Sequence, residues 1–336
     1  MKCLVCVEPG KFGYEERVIP VPREGHSLIK INSVGICGTD LHAFKGEQPY
    51  FNYPRILGHE IAAEYVDGDA PGFAAGDEIS VIPYFNCGTC IACRTGKPNC
   101  CTQIAVCGVH IDGAMCEYLQ VPDYSLLKGA GLTRDELALV EPLSIGAHAV
   151  RRAGVQAGEF VLVVGAGPIG IGIMEFARIA GAEVIVLDVN EGRLQFCKES
   201  LHFEHILNGK EEALVQLLKI TSGDMPVVVF DATGNRQAIE QAFSYMAHTG
   251  RYVLVGLQKE HIGFSHPEFH KREGTLMSSR NATKADFEYV INMIRQKRIN
   301  PAAYVTQRIK FDNAATEFKS LFEPDTHVCK AIIEMN

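Results

Sequence analysis

Val161-Leu-Val-Val-Gly165-Ala-Gly167-Pro168-Ile169-Gly170 decides the fold. An apolar run rich in Val and Leu is followed at once by G-x-G-x-x-G and then by a helical pattern, Pro168–Ala180. In such a strand–turn–helix unit Gly165 makes the tight turn. Gly167 lets the backbone approach a pyrophosphate, and Gly170 lets helix and sheet pack closely. The helix N-terminus offers free N–H groups and the positive end of its dipole to the anion. Asp188 ends the next apolar run, Glu183–Leu187, 18 residues beyond Gly170. A carboxylate there accepts hydrogen bonds from ribose hydroxyls and repels a 2′-phosphate, and Val189 follows it where an NADP site more often carries Arg. Arg193, one helical turn on, is also within reach of the ribose. The expected dinucleotide is NAD.

Working outward, further apolar runs at Val227–Phe230 and Tyr252–Val255 alternate with helical patterns at Glu191–Ser200, Glu211–Thr221 and Arg236–His248. Repeated βαβ units of this kind predict a doubly wound parallel sheet, an α/β fold. Asp231-Ala-Thr233-Gly234 and Val253-Leu-Val255-Gly256 end successive strands at the carboxyl edge, where cofactor contacts fall. Thr233, Val255 and Gly256 are therefore candidate cofactor residues. The N-terminal part reads differently, with short strand-like runs (Ser27–Val34, Glu78–Pro83, Glu117–Val121) broken by Gly and Pro, the texture of a β-rich domain with long loops. A last helix (Ala285–Gln296) and two strands (Tyr304–Ile309, Lys330–Met335) close the chain. The domain boundaries expected are 1–144, 145–282 and 283–336.

At 336 residues the chain is long enough for about two domains. Hydrophobic residues make up 47% and charged residues 21%, which argues against a disordered chain, a coiled coil or a fibre. Net charge is 32 − 40 = −8, with no Lys/Arg cluster, so no electrostatic footprint for nucleic acid is present. No uncharged stretch is longer than Phe160–Met174, which carries the glycine fingerprint and is shorter than the roughly 20 apolar residues of a spanning helix. With neither a signal peptide nor a membrane span expected, the location expected is cytoplasmic. The 12 cysteines then read as thiols or metal ligands rather than disulfides.

Four of those cysteines, Cys87, Cys90, Cys93 and Cys101, follow the spacing C-x2-C-x2-C-x7-C. Four thiolates so close in sequence can close around one tetrahedral Zn²⁺ with no open position, a structural site. A thioredoxin-like reading of Cys87–Cys90 lacks the βαβ entry that such a motif needs. Cys100 is a rival to Cys101. Cys3, Cys6, Cys107, Cys116, Cys197 and Cys329 are expected to be small buried hydrophobes.

Cys37-Gly-Thr39-Asp40-Leu-His42, Gly58-His59-Glu60 and Glu141-Pro-Leu-Ser each carry little signal alone. In this order, and followed by the cysteine lobe and the glycine fingerprint, they closely resemble the zinc-dependent medium-chain dehydrogenases, which include alcohol, sorbitol and threonine dehydrogenases. The resemblance covers essentially the whole chain. It favours Cys101 over Cys100 in the lobe and implies a GroES-like catalytic domain formed by both chain ends beside a Rossmann NAD-binding domain. It further implies two zinc ions per subunit, one structural and one catalytic. Cys37 and His59 match catalytic zinc ligands. Glu60 matches a carboxylate that ligates directly in sorbitol dehydrogenase-like members. Glu141 stands where alcohol dehydrogenases carry a second cysteine, a departure that points toward the polyol, sugar-acid and threonine branch. Whether Glu60 or Glu141 is the direct third ligand stays open at this point. Thr39 matches the hydroxyl that bonds the reacting alcohol, His42 the residue that passes its proton outward, and Asp40 a group orienting His59. Ser279 and Arg280 resemble a segment near the nicotinamide.

The chemistry agrees: zinc with one thiolate, one imidazole and one carboxylate keeps a position where a bound alcohol becomes far more acidic, and a nicotinamide accepts the hydride. The expected activity is NAD-linked oxidation of a secondary alcohol in a small polar substrate, a polyol or sugar acid, with L-threonine as the alternative. Tyr50, Phe51 and Tyr53 are candidate pocket residues. A zinc-free reductase would lack the ligand set, and a non-catalytic dinucleotide-binding protein would be expected to have lost Cys37, Thr39 or His42. The expected assembly is a homodimer or homotetramer.

Overall fold

Phe160–Val164 is the innermost strand of a six-stranded parallel sheet in the computed structural model, which describes residues 1–48, 51–322 and 328–335. On one side it pairs with Glu183–Asp188 and then His205–Asn208. On the other lie Val228–Asp231, Arg251–Leu254 and Thr275–Ser278 in turn. The order reverses direction at Phe160–Val164, which makes its carboxyl end the switch point where open α/β sheets bind ligands. The helix Pro168–Ile179 starts with proline in its first turn, where the missing N–H costs nothing. It packs close to the helix Val140–Ala153 because both present glycine: a Cβ on Gly146 would lie 2.4 Å from the Gly172 carbonyl carbon.

Two departures from the sequence reading stand out in this sheet. The helix expected over Arg236–His248 stops at Ala242, passes through a 3₁₀ turn at Phe243–Tyr245 and turns extended at Met246. The sheet also has two strands beyond the four expected, His205–Asn208 and Thr275–Ser278.

The chain divides into two units, Met1–Glu141 with Thr283–Asn336, and Pro142–Ala282. The border expected after residue 144 falls within the helix Val140–Ala153, a little past the observed division. In the first unit the long strand His26–Ile36 is the organiser. Glu60–Asp67, Tyr118–Pro122 and Lys330–Glu334 all pair with it antiparallel. Glu78–Val81 and Leu126–Lys128 extend the sheet on one side, and Val305–Lys310 extends it on the other. The returning C-terminal segment is therefore an inner strand of the N-terminal unit's main sheet. A smaller sheet, Lys11–Glu16 with Lys2–Glu8 and Arg55–Ile56, and a two-stranded pair, Tyr84–Phe85 with Ala105–Val106, accompany it in this unit, which has one apolar core. Among the described residues no helix is long and apolar enough to cross a membrane.

Candidate functional site

Among the described residues, two groups of side chains bring their ligand atoms within 4.8 Å of one another: Cys87, Cys90, Cys93 and Cys101, and separately Cys37, His59 and Glu60. Tetrahedral zinc at about 2.3 Å from each sulfur needs sulfurs roughly 3.8 Å apart. The cysteine lobe meets this, with Cys90–Cys93 and Cys87–Cys101 sulfurs each 3.5 Å apart. Backbone N–H groups of Cys87 and Gln103 donate to the Cys101 sulfur at 3.3 Å, and that of Cys90 to the Cys87 sulfur at 3.4 Å. Such donors stabilise thiolates over thiols. Cys100 is exposed and outside the group. Of the six remaining cysteines expected to be buried, five are; Cys329 is half-exposed and is the exception, its N–H bonded to Thr306 Oγ1 in the chain leading to the last strand.

The second group is assembled by a turn and a strand end. The strand His26–Ile36 runs straight into Cys37, whose extended backbone starts the helix Gly38–Lys45. Asp40 in the first turn of that helix is buried, and its carboxylate accepts from Cys37 N at 2.9 Å and Gly58 N at 3.1 Å. The bonds tie the turn at residue 37 to the turn at residue 58. Gly58 has φ +94°, and a Cβ there would lie 2.7 Å from Val34 Cγ1, so glycine is needed for both backbone and space. His59 follows, buried, with Nδ1 3.8 Å from Asp40 Oδ1. Burial alone would lower the pKa of its imidazole, but the Asp40 carboxylate and the Cys37 sulfur raise it well above the ordinary histidine value.

Glu60 opens the strand Glu60–Asp67 directly opposite Gly35, and a Cβ on Gly35 would sit 2.0 Å from Glu60 Oε2. The missing side chain makes room for the carboxylate. Both Glu60 oxygens accept from Lys330 Nζ, at 2.6 and 2.7 Å, and the same ammonium lies 3.3 Å from the Ile36 carbonyl. Lys330 is 2% exposed and Glu60 fully buried, so this is a desolvated ion pair. Sequence reading missed Lys330, which looked like an ordinary strand residue; a lone cation opening the last apolar run, Ala331–Ile333, was the available signal.

Glu141 lies outside the trio, in the first turn of the helix Val140–Ala153. Oε1 accepts from the Tyr84 hydroxyl, another partner the sequence did not reveal. Burial pushes its carboxyl up to about 7, with His59 pulling the other way. Glu141 Oε2 and His59 Nδ1 are buried with no hydrogen-bond partner among the described residues. A thiol, an imidazole and a carboxylate converging beside an unsatisfied buried carboxylate fit a zinc ion, and nothing in the donor set conflicts with one. Thr39 is half-buried in the same short helix. His42 is exposed, its Nδ1 2.9 Å from Glu47 Oε2. Phe51 and Tyr53 pack on each other and against the core, while Tyr50 lies outside the described residues.

In the second unit, Gly165 has φ +103°, and a Cβ on Gly170 would lie 1.8 Å from the Gly165 carbonyl oxygen, while Gly167 is open apart from Arg193 Nη1 at 4.0 Å. Gly165 is thus required by its backbone conformation and Gly170 by close packing, while Gly167 leaves open space at the start of the helix. Asp188 Oδ2 accepts from Ala166 N at 2.6 Å and Oδ1 from Asn190 N at 2.8 Å, with Arg193 Nη1 3.9 Å away. Its carboxylate therefore holds the fingerprint loop against the end of the neighbouring strand. Pro168 and Ile169 open the following helix, half-buried. Asp231 takes N–H bonds from Thr233 at 3.2 Å and Gly234 at 3.1 Å. Val255 and Gly256 donate to the Asp231 carbonyl at 2.9 and 3.0 Å. Ser279 is buried, its hydroxyl without a hydrogen-bond partner among the described residues, and Arg280 is exposed.

Residues 23–131 match the family model described as alcohol dehydrogenase GroES-like domain, and residues 168–296 the model described as zinc-binding dehydrogenase. The chain is 42% identical to L-galactonate-5-dehydrogenase of Escherichia coli K12, over 99% of this chain and 98% of that one. It is 30% identical to sorbitol dehydrogenase of Halalkalibacterium halodurans, over 95% and 96% of the two chains. Among solved structures, the alcohol dehydrogenase RspB of Escherichia coli CFT073, determined with NADH, superposes with a TM-score of 0.91 at 31% identity, covering 99% of each chain.

Proposed function

Because the chain belongs to the zinc-dependent medium-chain dehydrogenase family, with a GroES-like and a Rossmann domain and NAD as its redox partner, we propose that it oxidises a secondary hydroxyl of an aldonate, L-galactonate or a close relative, to the ketone. The observation that carries this reading is the buried Cys37–His59–Glu60 trio with Glu141 beside it. It is a carboxylate-rich donor set, in a chain 42% identical over nearly its full length to a sugar-acid dehydrogenase.

Residues 1–141 and 283–336 carry the metal chemistry, and 142–282 hold the dinucleotide. Cys37, His59 and Glu60 would hold the catalytic zinc, with Glu141 beside them as a buried acceptor for water. Cys87, Cys90, Cys93 and Cys101 hold the structural zinc. When bound, zinc polarises the alcohol oxygen as a Lewis acid, and NAD accepts the hydride. Thr39 hydrogen-bonds the substrate hydroxyl. His42, one helical turn further along the same face and exposed, hands the proton to solvent. Glycines 165, 167 and 170 with Pro168 and Ile169 receive the pyrophosphate, and Asp188 with Arg193 the adenosine ribose. Thr233, Val255, Gly256, Ser279 and Arg280 line the rest of the dinucleotide's path.

The enzyme acts in the cytoplasm, a reading supported by its 12 free cysteines. It works as a homodimer or homotetramer. The edge strand Thr275–Ser278, mostly exposed and carrying the apolar Leu276, supports pairing with a second copy.

The test is NADH formation over L-galactonate and other aldonates, sorbitol, L-threonine and ethanol, each with and without chelator. Chelator-sensitive turnover led by an aldonate supports the proposal. A preference for ethanol or for L-threonine, or turnover that survives complete zinc removal, overturns it.

A further inference from the structure

We infer that Lys330 is a positioning residue for the catalytic metal: from the opposite side of the sheet's central strand it holds the Glu60 carboxylate in competition with the metal, and so keeps that ligand exchangeable. The inference rests on the reading of Cys37, His59 and Glu60 as metal ligands, and deepens it.

Three strands build the arrangement. Glu60 begins one and Lys330 another, and His26–Ile36 runs between them with Gly35 paired to Glu60 on one side and to Ile332 on the other. Side chains on strands two apart do not ordinarily meet head-on. Here they meet over Gly35, where a Cβ would stand 2.0 Å from Glu60 Oε2. Both carboxylate oxygens face the ammonium at 2.6 and 2.7 Å, while Glu60 also offers an oxygen within 4.8 Å of the Cys37 and His59 ligand atoms. The carboxylate therefore faces the fixed ammonium of Lys330 on one side and, on the other, the place where Cys37 and His59 would hold a metal cation. Lys330 is 2% exposed, and its remaining contact is the Ile36 carbonyl at 3.3 Å, one residue before Cys37. A buried ammonium with no exit to solvent is expensive unless paired, and among the described residues Glu60 is the one carboxylate in contact with it. What the task needs is a fixed positive charge that competes for the carboxylate by attraction.

The consequence has a sign that a merely structural role does not share. Removing the charge of Lys330 leaves Glu60 with only the metal as counter-ion, so the metal is held more tightly and its third protein ligand becomes permanent. Loss of a group that only supports the site weakens metal binding, by about 10–100-fold in typical cases.

The experiment uses full-length enzyme loaded with Co²⁺ at the catalytic site. It records the visible ligand-field spectrum and the rate of cobalt removal by chelator for wild type, Lys330→Met, Lys330→Arg, Glu60→Gln and the double variant Glu60→Gln/Lys330→Met. Expected are cobalt release about tenfold slower in Lys330→Met, a ligand-field spectrum that no longer changes on adding substrate, and near-wild-type behaviour in Lys330→Arg. The double variant, which buries no unpaired charge, should match Glu60→Gln in both readouts, because Lys330 acts through Glu60. It also serves if Lys330→Met does not fold. Faster cobalt release in Lys330→Met, or a double variant further impaired than Glu60→Gln, overturns the inference. Wild-type enzyme that takes up no cobalt at Cys37 and His59 overturns instead the metal-site reading beneath it.

Discussion

The carboxylate of Asp40 stands 3.8 Å from Nδ1 of His59, an atom with no hydrogen-bond partner among the described residues, and the backbone N–H groups of Cys37 and Gly58 hold that carboxylate in place. One buried acid thus ties the turn at residue 37 to the turn at residue 58, beside the imidazole that follows the second. Asp40→Asn should lower catalytic-site zinc affinity by about 10–100-fold while leaving the cysteine lobe loaded. Zinc counted after dialysis against a weak chelator should fall from two ions per chain toward one, in line with the two separate ligand groups. Loss of both ions together would contradict the separation.

Cysteine accessibility gives a second prediction. Burial pushes the Cys6 and Cys107 thiols up to about 12. At pH 8 about one such thiol in 10⁴ is ionised, and the thiolate is the nucleophile. Iodoacetamide on the zinc-loaded native enzyme should therefore label exposed Cys100 and spare Cys6 and Cys107. Cys87, Cys90, Cys93 and Cys101 should become reactive only after chelation. Mass spectrometry of the peptides reads the outcome, and labelling of Cys101 before Cys100 in loaded enzyme would count against the assigned lobe.

Asp188 does two jobs that a single substitution separates. Its carboxylate accepts from Ala166 N, within the glycine fingerprint, and is proposed to accept from the ribose hydroxyls of NAD. In Asp188→Ala the lost hydrogen bonds to a charged acceptor are worth about 1.5–3 kcal/mol each, so NAD affinity should fall at least about tenfold. The repulsion of a 2′-phosphate disappears with the charge, and the ratio of NADP to NAD affinity should rise. Fluorescence titration of NADH and NADPH checks both, and an unchanged ratio would remove Asp188 from the discrimination.

The motifs were legible because each needs a particular residue at a particular place. Gly165 and Gly170 are demanded by backbone conformation and close packing, and Gly167 is proposed to be needed for pyrophosphate access. The cysteine spacing follows from wrapping a short loop around one centre. The strands His205–Asn208 and Thr275–Ser278 were not legible, because they lie at the two edges of the sheet and carry too few buried residues to form an apolar run. Helix Gly38–Lys45 was hidden for a similar reason: its burial is confined to Asp40, Ala43 and Phe44. Lys330 and Tyr84 escaped because their roles depend on partners more than 50 residues away in sequence, 270 for Lys330 with Glu60 and 57 for Tyr84 with Glu141. Long-range pairing of polar groups leaves no periodicity to read.

Asp231 gives a pH dependence with a definite sign. Burial raises its carboxyl above the ordinary aspartate value, against the lowering effect of the hydrogen bonds from Thr233 and Gly234. The folded state therefore holds this proton at pH values where the unfolded chain, titrating near about 3.9, has lost it. Fewer protons are bound in the unfolded state, so stability falls as pH rises from about 4 through the folded value, and is level above it. Asp231→Asn removes the titration. The difference in unfolding free energy between wild type and variant, from denaturant melts along a pH series, should move against wild type over that window. A difference that is flat, or moves in its favour, would show that the hydrogen bonds outweigh burial.

Gly35 offers the sharpest steric test of the site. Its Cβ, if added, would meet Glu60 Oε2 at 2.0 Å, and the carboxylate cannot simply swing aside, because Lys330 holds both of its oxygens and the pair is closed off from solvent. Crowding a packed interior typically costs about 1–3 kcal/mol, and here the strain falls on a proposed metal ligand. Gly35→Ala should lower the denaturation midpoint modestly, empty the Cys37–His59–Glu60 site and abolish turnover, with the zinc of the cysteine lobe retained. Gly38→Ala is the matched control, since a Cβ there meets nothing within 4 Å and Gly38 lies next to Cys37 on the other side of it from the crowded strand. If both variants lose the metal equally, the loss reflects general sensitivity of the turn around Cys37. If only Gly35→Ala does, the space opposite Glu60 is what the site requires.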